Sequence, residues 1–325
     1  MELLTLLTQM AEREASDLHL AVGVPPVFRV DGELVADQSP NLTAPEIERL
    51  LASLLPEDKL AGARRGQPFS ATLSHETQTF RCQVFRERGQ PAAAIRRILT
   101  SIPTMETLAL PPVFETLARS LRGLILLTGP AGSGKSTTLM SLLDHINKTR
   151  AERIYTVEDP LLYVIGSKLS LLTQCIVGED VDSMERGLLT VRSLDPDVVL
   201  VSEIRTPAAA RLALELCDVG ILVLAQITAE DVPDALARLL AQLGDPPEAA
   251  RRLLSRTLKA VVAQKLVPRE DGEGRAAVHD ILVGTPRVRQ MIADGDIRAS
   301  LLELVMEASL EAGMQTMAQA RRHKR

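Results

Sequence analysis

The segment Gly129-Pro-Ala-Gly-Ser-Gly134-Lys135-Ser136 constrains this chain more than any other. It satisfies GxxxxGK[ST] at every fixed position. An apolar run, Leu124–Thr128, leads into it, and a helical pattern over Thr137–Ile146 leads out. Glycines let the backbone wrap an anion so that several N–H groups face phosphate oxygens, and the helix N-terminus adds partial positive charge. The loop predicts a nucleoside triphosphate site built from Gly129, Pro130, Ala131, Gly132, Ser133, Gly134, Lys135, Ser136 and Thr137. Lys135 is expected on the β- and γ-phosphates, with Ser136 as the Mg²⁺ ligand. No base-reading motif separates adenine from guanine.

Around this loop the chain reads as α/β. Apolar runs Leu124–Leu127, Ile154–Val157, Val198–Val201 and Ile221–Ala225 alternate with helical stretches, as strands of a parallel sheet covered on both faces require. Glu248–Leu266 reads as helical, and Pro286–Met317 as a helical C-terminal cap. The first hundred residues differ and read as α+β. Leu3, Leu4, Leu7 and Met10 suggest a helical face, Leu18–Leu20 and Val27–Val30 short strands, and Asp31-Gly32 a turn. Thr43 with Glu46 forms a capping box, and Thr79–Phe85 and Ala92–Leu99 are further strands. Prolines at 103, 111 and 112 mark the change of character. The expected division is an N-terminal domain over 1–100, a linker over 101–111 and an ATPase domain over 112–325.

Two carboxylate-bearing strand ends follow the loop. Asp197-Val-Val-Leu-Val-Ser202-Glu203 has the form of a Walker B strand, with Ser202 where a metal-linked Asp is usual. Glu203 is then the group placed to orient and deprotonate an attacking water. Ile154-Tyr-Thr-Val-Glu158-Asp159-Pro160 also ends in acids, and strand ends of a parallel sheet converge on the ligand side, so Glu158 joins the candidate set.

Composition removes other classes. A net charge of −5, seven aromatics in all and none after Tyr163 oppose a nucleic-acid-coating role or a base-stacking platform. Cys82, Cys175 and Cys217 are widely spaced and odd in number, which argues for free thiols in a reducing compartment. The start is too acidic for a signal peptide and no run reaches membrane-spanning length, so a cytoplasmic protein is expected. Arg321–Arg325 is a small basic cluster, read as a solvated end.

Several motifs in order resemble one family, the secretion ATPases of the type II and type IV pilus class, and within it the pilus retraction motors of the PilT and PilU type. Ser16-Asp-Leu-His-Leu20 and Pro25–Gly32 are similar to its N-terminal signature, Tyr155–Pro160 to its Asp box and Asp195–Arg205 to its Walker B. Leu258–Pro268 and Gly313–Met317 are similar to its C-terminal segments, and Arg287–Ile292 to a retraction-type helix. The resemblance implies a PAS-like N-terminal domain, a RecA-like P-loop domain with C-terminal helices, ATP as the nucleotide, and a homohexamer. It further implies work on pilus retraction and twitching motility at the inner face of the cell membrane, without insertion. The implied partners are a pilus inner-membrane platform protein and a companion retraction ATPase, with no nucleic acid. Arg81 and Arg96 are carried over as arginines that reach the nucleotide phosphates, ahead of Arg88.

The family's histidine box is missing. No histidine lies between His145 and His279, and Ile221 and Thr228 hold the matching positions. Leu162 replaces the second acid of the Asp box, and Leu189 and Ser193 stand where arginines are usual. The expectation is therefore a slow or accessory motor. The alternative is a hydrolysis-poor ring component or regulator of a pilus or type II secretion system, and a RecA-like nucleic-acid translocase comes third.

Overall fold

A computed structural model describes residues 2–244, 247–268 and 275–323, and the side chains of the basic tail Arg321–Arg325 lie outside what it describes. The chain divides into two compact units. The first is Met1–Ser101 with Leu161–Val164; the second is Ile102–Pro160 with Ile165–Arg325.

The first unit runs α1 (Leu3–Glu12), β1 (Asp17–Leu20), β2 (Val27–Val30), β3 (Glu33–Ala36), α2 (Ala44–Ala52), α3 (Glu57–Arg64), β4 (Phe69–His75), β5 (Gln78–Glu87) and β6 (Gln90–Ile98). Its six strands form an antiparallel sheet in the order β3-β2-β1-β6-β5-β4. The α1 face that packs is Leu3, Leu6, Leu7 and Met10, while Leu4 is exposed. The i, i+3, i+4, i+7 rule points to Leu6, and the expected Leu4 lies off that stripe. Asp31-Gly32 and Arg88-Gly89 are two-residue hairpin turns with positive φ at both positions, the backbone twist that a tight hairpin needs. The capping box at α2 is present, with the Thr43 N–H donating to Glu46 Oε2 at 2.8 Å. Tyr163 returns to this unit by bridging to Leu99.

The second unit continues with α4 (Val113–Ala118), β7 (Gly123–Thr128), α5 (Lys135–Thr149), β8 (Arg153–Glu158), β9 (Leu171–Ile176), α6 (Met184–Arg192), β10 (Val198–Val201), α7 (Pro207–Asp218), β11 (Leu222–Ile227) and α8 (Val232–Leu243). It ends with α9 (Pro247–Thr257), β12 (Leu258–Pro268), β13 (Arg275–Val283), α10 (Pro286–Asp294), α11 (Ala299–Ala308) and α12 (Met317–His323). The sheet order is β13-β12-β7-β11-β10-β8-β9, parallel except for the β12–β13 hairpin. Every residue of β7, β10 and β11 is buried, which is why these strands read as continuous apolar runs without alternation. The α/β architecture, with an antiparallel unit before a RecA-like parallel sheet and a helical C-terminal cap, matches the sequence expectation.

One segment departs from it. The expected helix Glu248–Leu266 is helical only as far as Thr257, within α9 (Pro247–Thr257), and Leu258–Pro268 is an eleven-residue strand. Seven consecutive residues, Val261 to Val267, are apolar or long-chain, and such a run carries neither helical nor strand periodicity. The described residues contain no helix long and apolar enough to cross a membrane.

Candidate functional site

The parallel register brings the carboxyl ends of β7, β11, β10 and β8 together. Val201 pairs with Val157 on one side and Ala225 on the other, so Glu203, Glu158 and Thr228 all leave the sheet at the same edge. Thr128 ends β7 at that edge and the phosphate loop begins with Gly129.

Three loop glycines take positive φ: Gly129 at 138°, Gly132 at 73° and Gly134 at 83°. At Gly129 a Cβ would stand 2.3 Å from the Gln264 carbonyl oxygen, and at Gly134 2.9 Å from Gln264 Nε2. Glycine is therefore required at both places by backbone angle and by contact. Gly134 precedes α5 in left-handed conformation with no side chain capping the helix, whereas α6, α7, α8 and α10 are each capped by a Ser, Thr or Asp side chain. The leading amides of α5 keep their partial positive charge for an anion. The Ser133 hydroxyl is buried within the loop and has no hydrogen-bond partner among the described residues. A glycine-lined cradle, uncapped amides and an orphaned hydroxyl fit a phosphate chain.

Lys135 Nζ donates to the carbonyls of Gly129 and Pro130, at 2.8 Å each. Burial holds its pKa below the usual lysine value, against the opposing pull of the Glu203 charge. The Ser136 hydroxyl meets the Gln226 side chain, 3.3 Å from Oε1 and 3.1 Å from Nε2. An oxygen donor there suits a hard cation such as Mg²⁺.

Glu203 is gripped at both oxygens. Thr228 Oγ1 donates to Oε1 at 2.6 Å, and Arg205 Nε donates to Oε2 at 2.8 Å. Burial pushes the Glu203 pKa up, but these two donors and the charges of Arg205 and Lys135 outweigh it and leave it below the ordinary glutamate value. Arg205 also donates to Asp159 Oδ2 at 2.9 Å, so one guanidinium ties the ends of β8 and β10 together. Ser202 is a structural tie of its own: its Oγ accepts from the Asp159 N–H at 2.9 Å. Glu158 is fully buried, its Oε1 accepting from Thr156 Oγ1 at 2.7 Å and Gln174 Nε2 at 2.8 Å.

The predicted residues thus separate into groups. Lys135, Ser136, Glu203 and Glu158 share one sheet edge with the loop. Arg81 and Arg96 belong to the first unit, directly opposite each other on β5 and β6. Arg81 donates to Ser70 Oγ at 2.8 Å, and Arg96 pairs with Asp17 at 2.7 Å. Arg88 occupies the hairpin turn. Sequence reasoning assigned no part to Gln226, Gln264 or Arg205. The available signal was a lone amide inside each of two aliphatic strands, because a buried polar side chain calls for a partner.

A model of the family described as "Type II/IV secretion system protein" matches residues 2–324. The chain is 34% identical over 322 residues to the type IV pilus ATPase PilU of Pseudomonas aeruginosa, covering 98% of this chain and 84% of that protein. It is also 34% identical to the type IV pilus retraction ATPase PilT of the same organism, covering 98% and 92%. A crystal structure of the pilus retraction motor PilT with bound ADP superposes with a TM-score of 0.90 at 32% identity, over 98% of this chain and 92% of that one. The chain belongs to the type II/IV secretion system protein family.

Proposed function

We propose that this protein is a Mg²⁺-dependent ATPase motor of pilus retraction. The observation that carries the reading is the convergence of Lys135, at the start of α5 beyond β7, and Glu203, just past the end of β10, with their opposite charges acting on one another. In the proposed reaction the Glu203 carboxylate takes a proton from water. The water oxygen attacks the γ-phosphorus, the bond to the bridging oxygen breaks, and ADP leaves with the electron pair. Lys135 exchanges its two loop carbonyls for phosphate oxygens, and the leading amides of α5 take up the remaining charge. Ser136 would hold Mg²⁺, whose charge offsets that of the β- and γ-phosphates.

Turnover is proposed to be slow, as in an accessory motor, because the family's histidine box is missing and because Thr228 and Arg205 occupy both oxygens of the base until phosphate draws Arg205 away. The similarity to PilT and PilU supports a homohexamer working with a companion ATPase and a membrane platform protein, with Arg81 and Arg96 reaching phosphates. Lys135→Ala tests the core of the reading. Titration with Mg-ATP is expected to show at least a hundredfold loss of affinity with the fold intact, and unchanged affinity would reject the site. Light scattering that reports a monomer at high protein concentration with ATP present would reject the ring.

A further inference from the structure

Gln264 is 1% exposed, set among the aliphatic residues of β12 directly behind the phosphate loop. Its Nε2 donates to the Ser133 carbonyl at 2.7 Å. Its Oε1 accepts from Thr138 Oγ1 at 2.9 Å and lies 3.1 Å from His279 Nε2. With the amide nitrogen committed to a carbonyl, the oxygen faces His279, so Nε2 of that ring carries the proton. His279 is itself buried and meets Phe114 of α4 edge-on, with ring centroids 5.6 Å apart. One side chain therefore touches the loop at Ser133, crowds Gly134, and anchors the first turn of α5 at Thr138.

A planar trans peptide points its C=O and the following N–H in opposite directions. Fixing the Ser133 carbonyl against Gln264 consequently aims the Gly134 N–H away from β12. A leucine of similar size would pack in the same apolar strand, so the amide is there for its hydrogen bonds.

We infer that Gln264 is a positioning residue for nucleotide binding: it sets the Ser133–Gly134 peptide so that the loop amides receive phosphate, while His279 locks the amide's orientation. The inference rests on the reading of the loop as an ATP site. Gln264 acts through the loop before and during the reaction alike, so its loss weakens binding of ground and transition states equally. That signature is a raised KM at nearly constant kcat.

The test compares the full chain with Gln264→Leu, Gln264→Glu and His279→Phe. The readouts are affinity for Mg-ATP by calorimetry, kcat and KM for phosphate release, and melting temperature. Both Gln264 variants are expected to raise Kd and KM at least tenfold with kcat within threefold of wild type. His279→Phe is expected to raise KM about threefold, and to add nothing in a Gln264→Leu background. A merely structural residue would lower the melting temperature and the active fraction while leaving KM within twofold, and that result overturns the inference. If Gln264→Leu does not fold, Gln264→Glu decides, since it keeps the volume and the acceptor contacts to Thr138 and His279 and sets a charged, non-donating carboxylate oxygen against the Ser133 carbonyl. Lys135→Ala serves as the reference. Loss of affinity there with full affinity in both Gln264 variants sinks this inference alone, whereas a wild type that binds no ATP sinks the nucleotide site with it.

Discussion

Replacing Glu203 by glutamine separates the chemistry of the site from its architecture. The amide has the same shape and cannot take a proton from water. A positioned general base contributes about 10²–10⁴ in rate, equivalent to about 3–5 kcal/mol of barrier. The structural cost is smaller. The amide oxygen still accepts from Thr228, while the amide N–H₂ faces Arg205 Nε, a donor against a donor, and Arg205 retains Asp159. The lost ion pair lies between a glutamate side chain 24% exposed and an arginine 56% exposed, so solvent screening limits it to about 0–1 kcal/mol. For a unit of this size that lowers the melting temperature by about 2–4 °C at most.

The expected outcome is therefore phosphate release reduced at least a hundredfold, ATP affinity within threefold of wild type and a nearly unchanged melting curve. The stability difference also has a pH signature. Because the folded-state pKa of Glu203 is depressed, its stabilisation is present above the unfolded pKa and fades as pH falls through the folded value. The wild type and Glu203→Gln melting temperatures should accordingly converge in acid. Equal phosphate release in the two proteins would refute the general-base assignment and favour the regulator reading. A melting temperature lowered by more than 10 °C would refute the account of Glu203 as a replaceable surface pair.

Three further perturbations follow from the same geometry. Thr228→Val removes the donor to Glu203 Oε1, so the Glu203 pKa should rise and the acid limb of the kcat/KM profile should move to higher pH; an unmoved limb contradicts the pairing. Gly134→Ala adds a methyl 2.9 Å from Gln264 Nε2 at a φ of 83°, a left-handed strain of about 1–2 kcal/mol. It should weaken ATP binding about tenfold in a direct titration, and wild-type affinity would show that the loop tolerates the side chain. Leu224→Ala, in the middle of fully buried β11, should cost about 2–5 kcal/mol in urea unfolding. A loss below 1 kcal/mol would mean that the sheet collapses around the gap.

What was legible in the sequence was local. The phosphate loop declares itself because every requirement sits within a dozen residues, and the strands around it because burial on both faces leaves long aliphatic runs. The same property hid β12: a buried run with no polar alternation looks alike as helix or strand, and only pairing with β7 decides between them. Leu6 rather than Leu4 completes the buried stripe of α1, because helical spacing and not adjacency in sequence sets that face. Partnerships across the sheet had no local signal at all. Arg205 with Asp159, Gln264 with Ser133 and Gln226 with Ser136 each join residues 46 to 131 positions apart, and they exist because parallel register aligns strand ends.

Thr228 shows what such a partnership changes in the chemistry. A histidine beside a catalytic carboxylate can carry a proton and a positive charge near neutral pH, whereas a threonine hydroxyl donates one hydrogen bond and remains neutral. Among the described residues, the fixed positive charge acting on Glu203 comes from Arg205 and Lys135, and Arg205 is shared with Asp159. Two cations face two carboxylates before any phosphate arrives. In the proposed reaction an incoming γ-phosphate would draw on the same two cations, and drawing Arg205 off Glu203 would remove one of the two donors that lower the carboxylate's pKa. The base then becomes stronger when substrate is in place, and Thr228 alone continues to orient it. That sequence needs no histidine for proton transfer, but apart from Glu203 itself it gives no described residue of the site a charge that changes when the γ-phosphate arrives. It favours the proposed slow turnover over a complete loss of hydrolysis.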